Sequence, residues 1–169
     1  MMTHTQTPLS SIRAELLVRP DAILETVARE HGVSLLECLR ALPPGMSVER
    51  DGAAFEQVLG QIATWGELTT IVHTPDVIME FAGPFPAGKS GHGFYNLRGK
   101  EGLTGHLRVE RCARIVFLER PFMNLRTAGI LFINPEGGCM FKVFIRRLED
   151  RSLDATQLAA LRALAGSLS

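Results

Sequence analysis

Three stretches decide the fold class: Ala113-Arg114-Ile115-Val116-Phe117-Leu118-Glu119, Ala128-Gly129-Ile130-Leu131-Phe132-Ile133-Asn134 and Met140-Phe141-Lys142-Val143-Phe144-Ile145-Arg146. Each is a run rich in β-branched and aromatic residues, bounded by Gly, Pro or charged turns, which is the pattern of a strand. The connections are short, so successive strands pair antiparallel rather than through βαβ crossovers. Gly129–Ile133 is nearly all apolar, which predicts a strand covered on both faces. Leu68–Thr74, Val77–Ala82, Gly93–Leu97 and Leu103–Val109 are runs of the same kind. Residues 68–147 therefore read as a sheet.

Residues 8–65 read as helical. Pro20 can open a helix at Asp21, with Ile23, Leu24, Val27 and Ala28 in one apolar stripe. Gly32 ends that helix, and Ser34 caps the next, whose apolar side is Leu35, Leu36, Leu39 and Leu42. Pro43-Pro44-Gly45 stops it. A further helix is expected from about Ala53 to Trp65, with Phe55, Val58, Leu59, Ile62 and Ala63 inward. Residues 153–168 form a closing helix. Asp154 with Gln157 three residues on is a capping-box variant, and Leu158, Leu161, Leu164 and Leu168 make the inner stripe. The expected architecture is α+β: one domain over residues 1–169, an antiparallel β-sheet flanked by helices, with a helical N-terminal lobe.

Composition narrows the function. The 169 residues carry 18 Lys plus Arg against 18 Asp plus Glu, a formal net charge of zero. A protein that grips nucleic acid through its phosphates usually carries a basic excess, so this balance argues against such a partner. Hydrophobic residues make up 46% and charged residues 21%, as in a folded chain rather than a disordered one. The three cysteines, Cys38, Cys112 and Cys139, are widely spaced and form no CxxC, which fits a reducing compartment. The stretch Met1–Leu9 is polar, and no apolar run approaches the ~18 residues of a membrane span. The expectation is a soluble cytoplasmic protein with no membrane partner.

Two motifs invite over-reading. Gly83-Pro84-Phe85-Pro86-Ala87-Gly88-Lys89-Ser90 matches the phosphate-binding GxxxxGK[ST] pattern. Pro84 and Pro86 lack the N–H groups that cradle phosphate, and a strand follows instead of a helix. An exposed turn is the expectation, though Lys89 can meet a ligand carboxylate there. Asp21–Leu42 resembles a helix-turn-helix, but its second helix offers only Glu37 and Arg40 outward among leucines, so a helical packing unit is preferred to a DNA reader.

Histidines stand at 4, 31, 73, 92 and 106. None shows HxH, HExxH or another compact metal-ligand spacing. His4 lies near the chain end, and His31 beside Gly32 suits a helix C-terminus. Hydrolase chemistry has no support, since no GxSxG occurs and no carboxylates pair as acid and base. Gly91–Glu110 reads as a hairpin turning at Gly99-Lys100-Glu101-Gly102. A symmetric loop puts Tyr95, the only tyrosine, opposite His106. A three-residue loop with a bulge puts them on opposite faces, and the turn residues suit both. Symmetric pairing would place a phenol and an imidazole on one face with Arg98 or Arg108 near, groups that suit a ferric porphyrin and its propionates. On residue types alone, a Tyr hydroxyl bonded locally and a His at a strand edge are the preferred reading.

Segments along nearly the whole chain resemble the intracellular haem-carrier family of the HutX/ChuX type. They include Trp65–Thr74, Asp76–Phe81, Phe94-Tyr95-Asn96-Leu97-Arg98-Gly99-Lys100, Gly102-Leu103-Thr104-Gly105-His106, Phe117–Met123, Ala128–Asn134 and Met140–Phe144. The resemblance implies a fold like one half of the larger bacterial haem-utilisation proteins, and a homodimer. It implies a cytoplasmic haem-binding protein, not an enzyme, that stores haem and delivers it to a haem-processing partner. A haem-degrading enzyme is the alternative, and a DNA-binding regulator a further one. Carried over by position, His73 and His106 are the leading candidate iron ligands and Tyr95 the next. Lys89, His92 and Arg98 are expected around the pocket. Phe94 stands where some family members carry an aromatic hydroxyl.

Overall fold

A computed structural model describes residues 8–169, and the reading of His4 lies outside them. Three helices come first, α1 (Pro8–Val18), α2 (Leu24–His31) and α3 (Leu35–Arg40). Strand β1 (Ser47–Asp51) and a 3₁₀ turn lead into α4 (Phe55–Ile62). Then come β2 (Glu67–His73), β3 (Ile78–Pro84), β4 (Gly88–Gly91), β5 (Phe94–Leu97) and β6 (Gly105–Arg108). Strands β7 (Arg114–Phe122), β8 (Leu125–Ile133) and β9 (Cys139–Ile145) precede the closing helix α5 (Ala155–Ser167).

The strands form a six-stranded sheet in the order β1-β7-β8-β9-β2-β3 and a three-stranded sheet in the order β4-β5-β6. Every ladder is antiparallel, as the short connections require. The apolar run in β8 is covered on both faces. Ile130 and Phe132 join Phe55, Phe141 and Val143 in one core, under α4, α5 and the small sheet. Leu131 and Ile133 join Val116 and Leu118 in a second core, under α1, α2 and α3. Phe132 stacks on Phe141 at 4.5 Å and meets Phe55 edge-on at 5.4 Å, so aromatic rings fix the centre of the first core.

Three expectations need correction. The helical block 8–65 contains β1, an edge strand with no apolar alternation to announce it. Its polar side chains are held from neighbouring elements, with Glu49 bonded to Arg40 and Asp51 to Arg114. Helix α2 begins at Leu24, not Asp21, because the Arg120 guanidinium donates to the carbonyls of Pro20 and Ala22. Ile23 is thereby left exposed rather than in the core stripe. Gly88–Gly91, expected as a turn, is β4, paired with β5 so that the Tyr95 ring lies against Gly88. A Cβ at Gly88 would fall 2.2 Å from that ring.

At the start of α5 only half of the expected capping box forms. Asp154 accepts from the backbone N–H groups of Thr156 and Gln157. The Gln157 side chain turns inward instead: its Nε2 donates to the carbonyls of Trp65 and Glu67, and its Oε1 accepts from the Arg146 N–H. The complete capping box belongs to Ser34 and Glu37 at α3.

Candidate functional site

The helical lobe covers one face of β7 and β8 and stops there. On the same face, β9, β2 and β3 run out from under it, and the step makes a groove of about 610 Å³. Register dictates the lining. Ile71 pairs with both Glu80 and Lys142, Thr69 with Ala82 and Phe144, and His73 with Ile78, so these side chains share the face that Leu118 and Leu131 present to the helices. Most of the wall is aliphatic or aromatic, with Ile23, Leu24, Ile71, Ile78, Phe122 and Phe144 contributing. That size and character are those of a small-molecule site.

Polar groups stand at its two ends. At one, His73 closes β2 with Nδ1 3.3 Å from Glu25 Oε1 in the first turn of α2. Lys142 of β9 bonds the same carboxylate. Burial works against ionising Glu25, but the Lys142 charge and hydrogen bond, with help from His73, outweigh it and hold the carboxyl below its ordinary value.

At the other end, past the close of β9, Arg147 donates through Nη2 to Thr127 Oγ1 at 2.8 Å. Its Nη1 is buried and has no hydrogen-bond partner. Arg120 lies across the ladder from Thr127, its guanidinium buried and bonded to backbone carbonyls rather than to a carboxylate. Desolvation pushes the Arg120 pKa down from its ordinary value. Two cations without a bonded carboxylate thus flank Thr127 at an apolar wall. A buried guanidinium N–H with nothing to bond is costly, and an anionic ligand group removes the cost.

The residues named from sequence fall in two places. His73 lines the groove. Tyr95 is buried between the small sheet and the aromatic core, on the other side of the six-stranded sheet. Its ladder partners are Ser90 and Leu107, and His106 pairs with Asn96. The phenol and the imidazole therefore point to opposite faces of the small sheet. His106 is exposed on the outer face, with Nδ1 2.6 Å from Asn96 Oδ1 and its ring edge-on to Phe94 at 5.8 Å. Arg108 sits over the same Phe94 ring at 4.9 Å. Lys89, exposed, pairs with Asn96 and joins that face. His92 occupies the β4–β5 turn at φ +56°, and Arg98 is exposed beyond β5. Glu25, Arg120, Lys142 and Arg147 were not singled out from sequence. The available signal was a charge inside an apolar strand run, at Lys142 and Arg120.

His31, expected to serve a helix dipole, has Nε2 2.8 Å from Glu15 Oε2 and ties α2 to α1. Among the described residues no group of three or more His, Cys, Asp or Glu is placed to hold a metal ion. No described helix is long and apolar enough to cross a membrane.

Residues 48–164 match the family described as haem utilisation ChuX/HutX. The chain belongs to the ChuX/HutX family. It is 32% identical over 165 residues to the intracellular heme transport protein HutX of Vibrio cholerae, spanning 96% of this chain and 86% of HutX. A solved structure of the heme-binding protein ChuX is 42% identical with a TM-score of 0.84, covering 92% of this chain and 97% of that one. Holo-PhuS of Pseudomonas aeruginosa, at 17% identity and a TM-score of 0.74, shares the fold alone, and 99% of this chain maps to 48% of it. The ChuX/HutX fold is thus an antiparallel sheet with helices that recurs as about half of a larger protein.

Proposed function

We propose that this ChuX/HutX protein binds haem in the groove, with His73 toward the iron, and carries it in the cytoplasm to a haem-processing protein. One observation carries the reading. An apolar groove of about 610 Å³ holds an imidazole at one end and a buried, unpartnered guanidinium nitrogen at the other. A porphyrin needs those three things: apolar walls for the macrocycle, a nitrogen donor for the iron and cations for the propionates. The names of the HutX and ChuX relatives support the ligand and the carrier role. The whole chain, residues 1–169, is read as one haem-utilisation domain.

The chain's own residues supply binding and orientation. The aliphatic wall excludes water, His73 offers a ring nitrogen, and Arg147 with Arg120 orients the carboxylates. His106 and Lys89 lie on a different face, so a site shared by His73 and His106 needs two chains. A homodimer is part of the reading. The free edge of the six-stranded sheet supports it, because β3 leaves Ile78, Met79 and Phe81 exposed at 61%, 46% and 36%.

The test is a haemin titration of the apo-protein. The carrier reading expects a shifted Soret band with saturable stoichiometry, and a band that persists when a reductant is added in air. Loss of the band under those conditions supports haem degradation instead. Absence of saturable binding ends the haem reading.

A further inference from the structure

Helix α2 brings a carboxylate to the groove that no feature of the strand block announces. Glu25 lies one residue past the start of α2, and that start is set by Arg120 drawing the Pro20 and Ala22 carbonyls out of the helix. The side chain projects across the groove to β2, where Oε1 stands 3.3 Å from His73 Nδ1. It meets Lys142 of β9 as well. Two half-buried groups, an imidazole and an ammonium from strands far apart in sequence, converge on one half-buried carboxylate.

Resting on haem binding at His73, we propose that Glu25 is a positioning residue for that ligand and that Lys142 limits the negative charge it passes on. An imidazole has two nitrogens and a broad two-fold ring torsion. A carboxylate 3.3 Å from Nδ1 biases both choices: it favours the Nδ1–H tautomer and leaves Nε2 with its lone pair free for a metal. It also makes the ring a stronger donor, which stabilises ferric over ferrous iron. Lys142 on the same carboxylate draws part of that charge away. The triad therefore sets how firmly the groove holds ferric haem, as well as where the ring points.

A simple staple between α2 and the sheet would use the same Glu25–Lys142 pair, so the test must separate the two. Haemin affinity, the Soret and ferric spin-resonance spectra, and the haem reduction potential are measured for the full chain, Glu25→Ala, Glu25→Gln, Lys142→Met and His73→Ala. Urea midpoints serve as the folding control. Positioning predicts that Glu25→Ala weakens haemin about 10–100-fold and moves the spectra toward those of His73→Ala. Glu25→Gln keeps an acceptor, so it restores most of the affinity but raises the potential. Lys142→Met shifts the potential the opposite way, downward. Should Glu25→Ala fail to fold, Glu25→Gln decides by its ferric spin-resonance and Soret spectra, which positioning of the His73 ring changes and a staple acting only through its charges leaves as they were. Unchanged affinity, spectra and potential in both Glu25 variants, with a changed His73→Ala, overturns the positioning role. Shifts of the same sign in Glu25→Gln and Lys142→Met overturn it too, in favour of the staple. A His73→Ala spectrum identical to that of the unaltered chain shows instead that the ligand reading has failed.

Discussion

Replacing Gln157 with Met is expected to destabilise the fold by about 3 kcal/mol. The side chain is 5% exposed and makes three bonds to backbone groups: to the Trp65 and Glu67 carbonyls, each at 2.8 Å, and from the Arg146 N–H at 2.7 Å. It ties α5 to the entry of β2 and to the residue that follows β9. At about 1 kcal/mol net per bond the sum is about 3 kcal/mol, and Met of similar volume leaves little cavity. For a chain of this size that corresponds to a fall in Tm of roughly 6–12 °C. Urea denaturation followed by far-UV circular dichroism measures it directly. A loss below about 1 kcal/mol would mean that water or a local shift meets those backbone groups as well as Gln157 does, and that the side chain is not what ties α5 to the sheet.

Two other perturbations follow from the same geometry. Arg147→Gln is expected to weaken haemin roughly 10–100-fold, the equivalent of one charge-assisted hydrogen bond of about 1.5–3 kcal/mol, while leaving haemin dimethyl ester unaffected. An equal loss for both ligands would count against an anion contact. Burial pushes the Cys38 thiol up to about 11 and the Cys112 and Cys139 thiols up to about 12, so at pH 8 all three should resist a thiol-reactive dye until urea unfolds the chain. Fast labelling of the native protein would contradict that burial.

The parts of the fold legible in sequence are those set by apolar pattern. Gly129–Ile133 announced a strand with two covered faces, and Ile130 and Leu131 do lie in different cores. The leucine stripe of α5 and the Ser34 cap followed from period and local hydrogen bonding. What escaped was set by partners distant in the chain. β1 is a strand because β7 pairs with it, and α2 starts late because of Arg120, about 100 residues on. The β7–β8 hairpin runs longer than its apolar core because Met123 and Asn124, at φ +49° and +61°, form a two-residue turn that Met does not advertise. The Tyr95–His106 register hung on turn geometry that the residues left open, and the structure places the two on opposite faces. For the candidate site, His73 was named through resemblance. The other charged groups of the groove, Glu25, Lys142, Arg120 and Arg147, come from α2, β7, and β9 with the residues just past it, and only the folded sheet gathers them.

The two histidine-bearing faces make different demands on haem. The groove offers apolar depth and an anchored imidazole, while His106 offers a ring already oriented by Asn96 but standing in solvent. A carrier that both holds and releases its cargo has a use for a deep face and a shallow one. Whether haem sits in the groove is decided by a haemin titration of His73→Ala beside Tyr95→Phe, each followed by its Soret spectrum. Haem held in the groove predicts an altered spectrum and weaker binding for His73→Ala. It predicts an unchanged spectrum for Tyr95→Phe, since the phenol lies in the core on the far side of the sheet. The opposite pattern, with His73→Ala unchanged and Tyr95→Phe altered, would contradict the account.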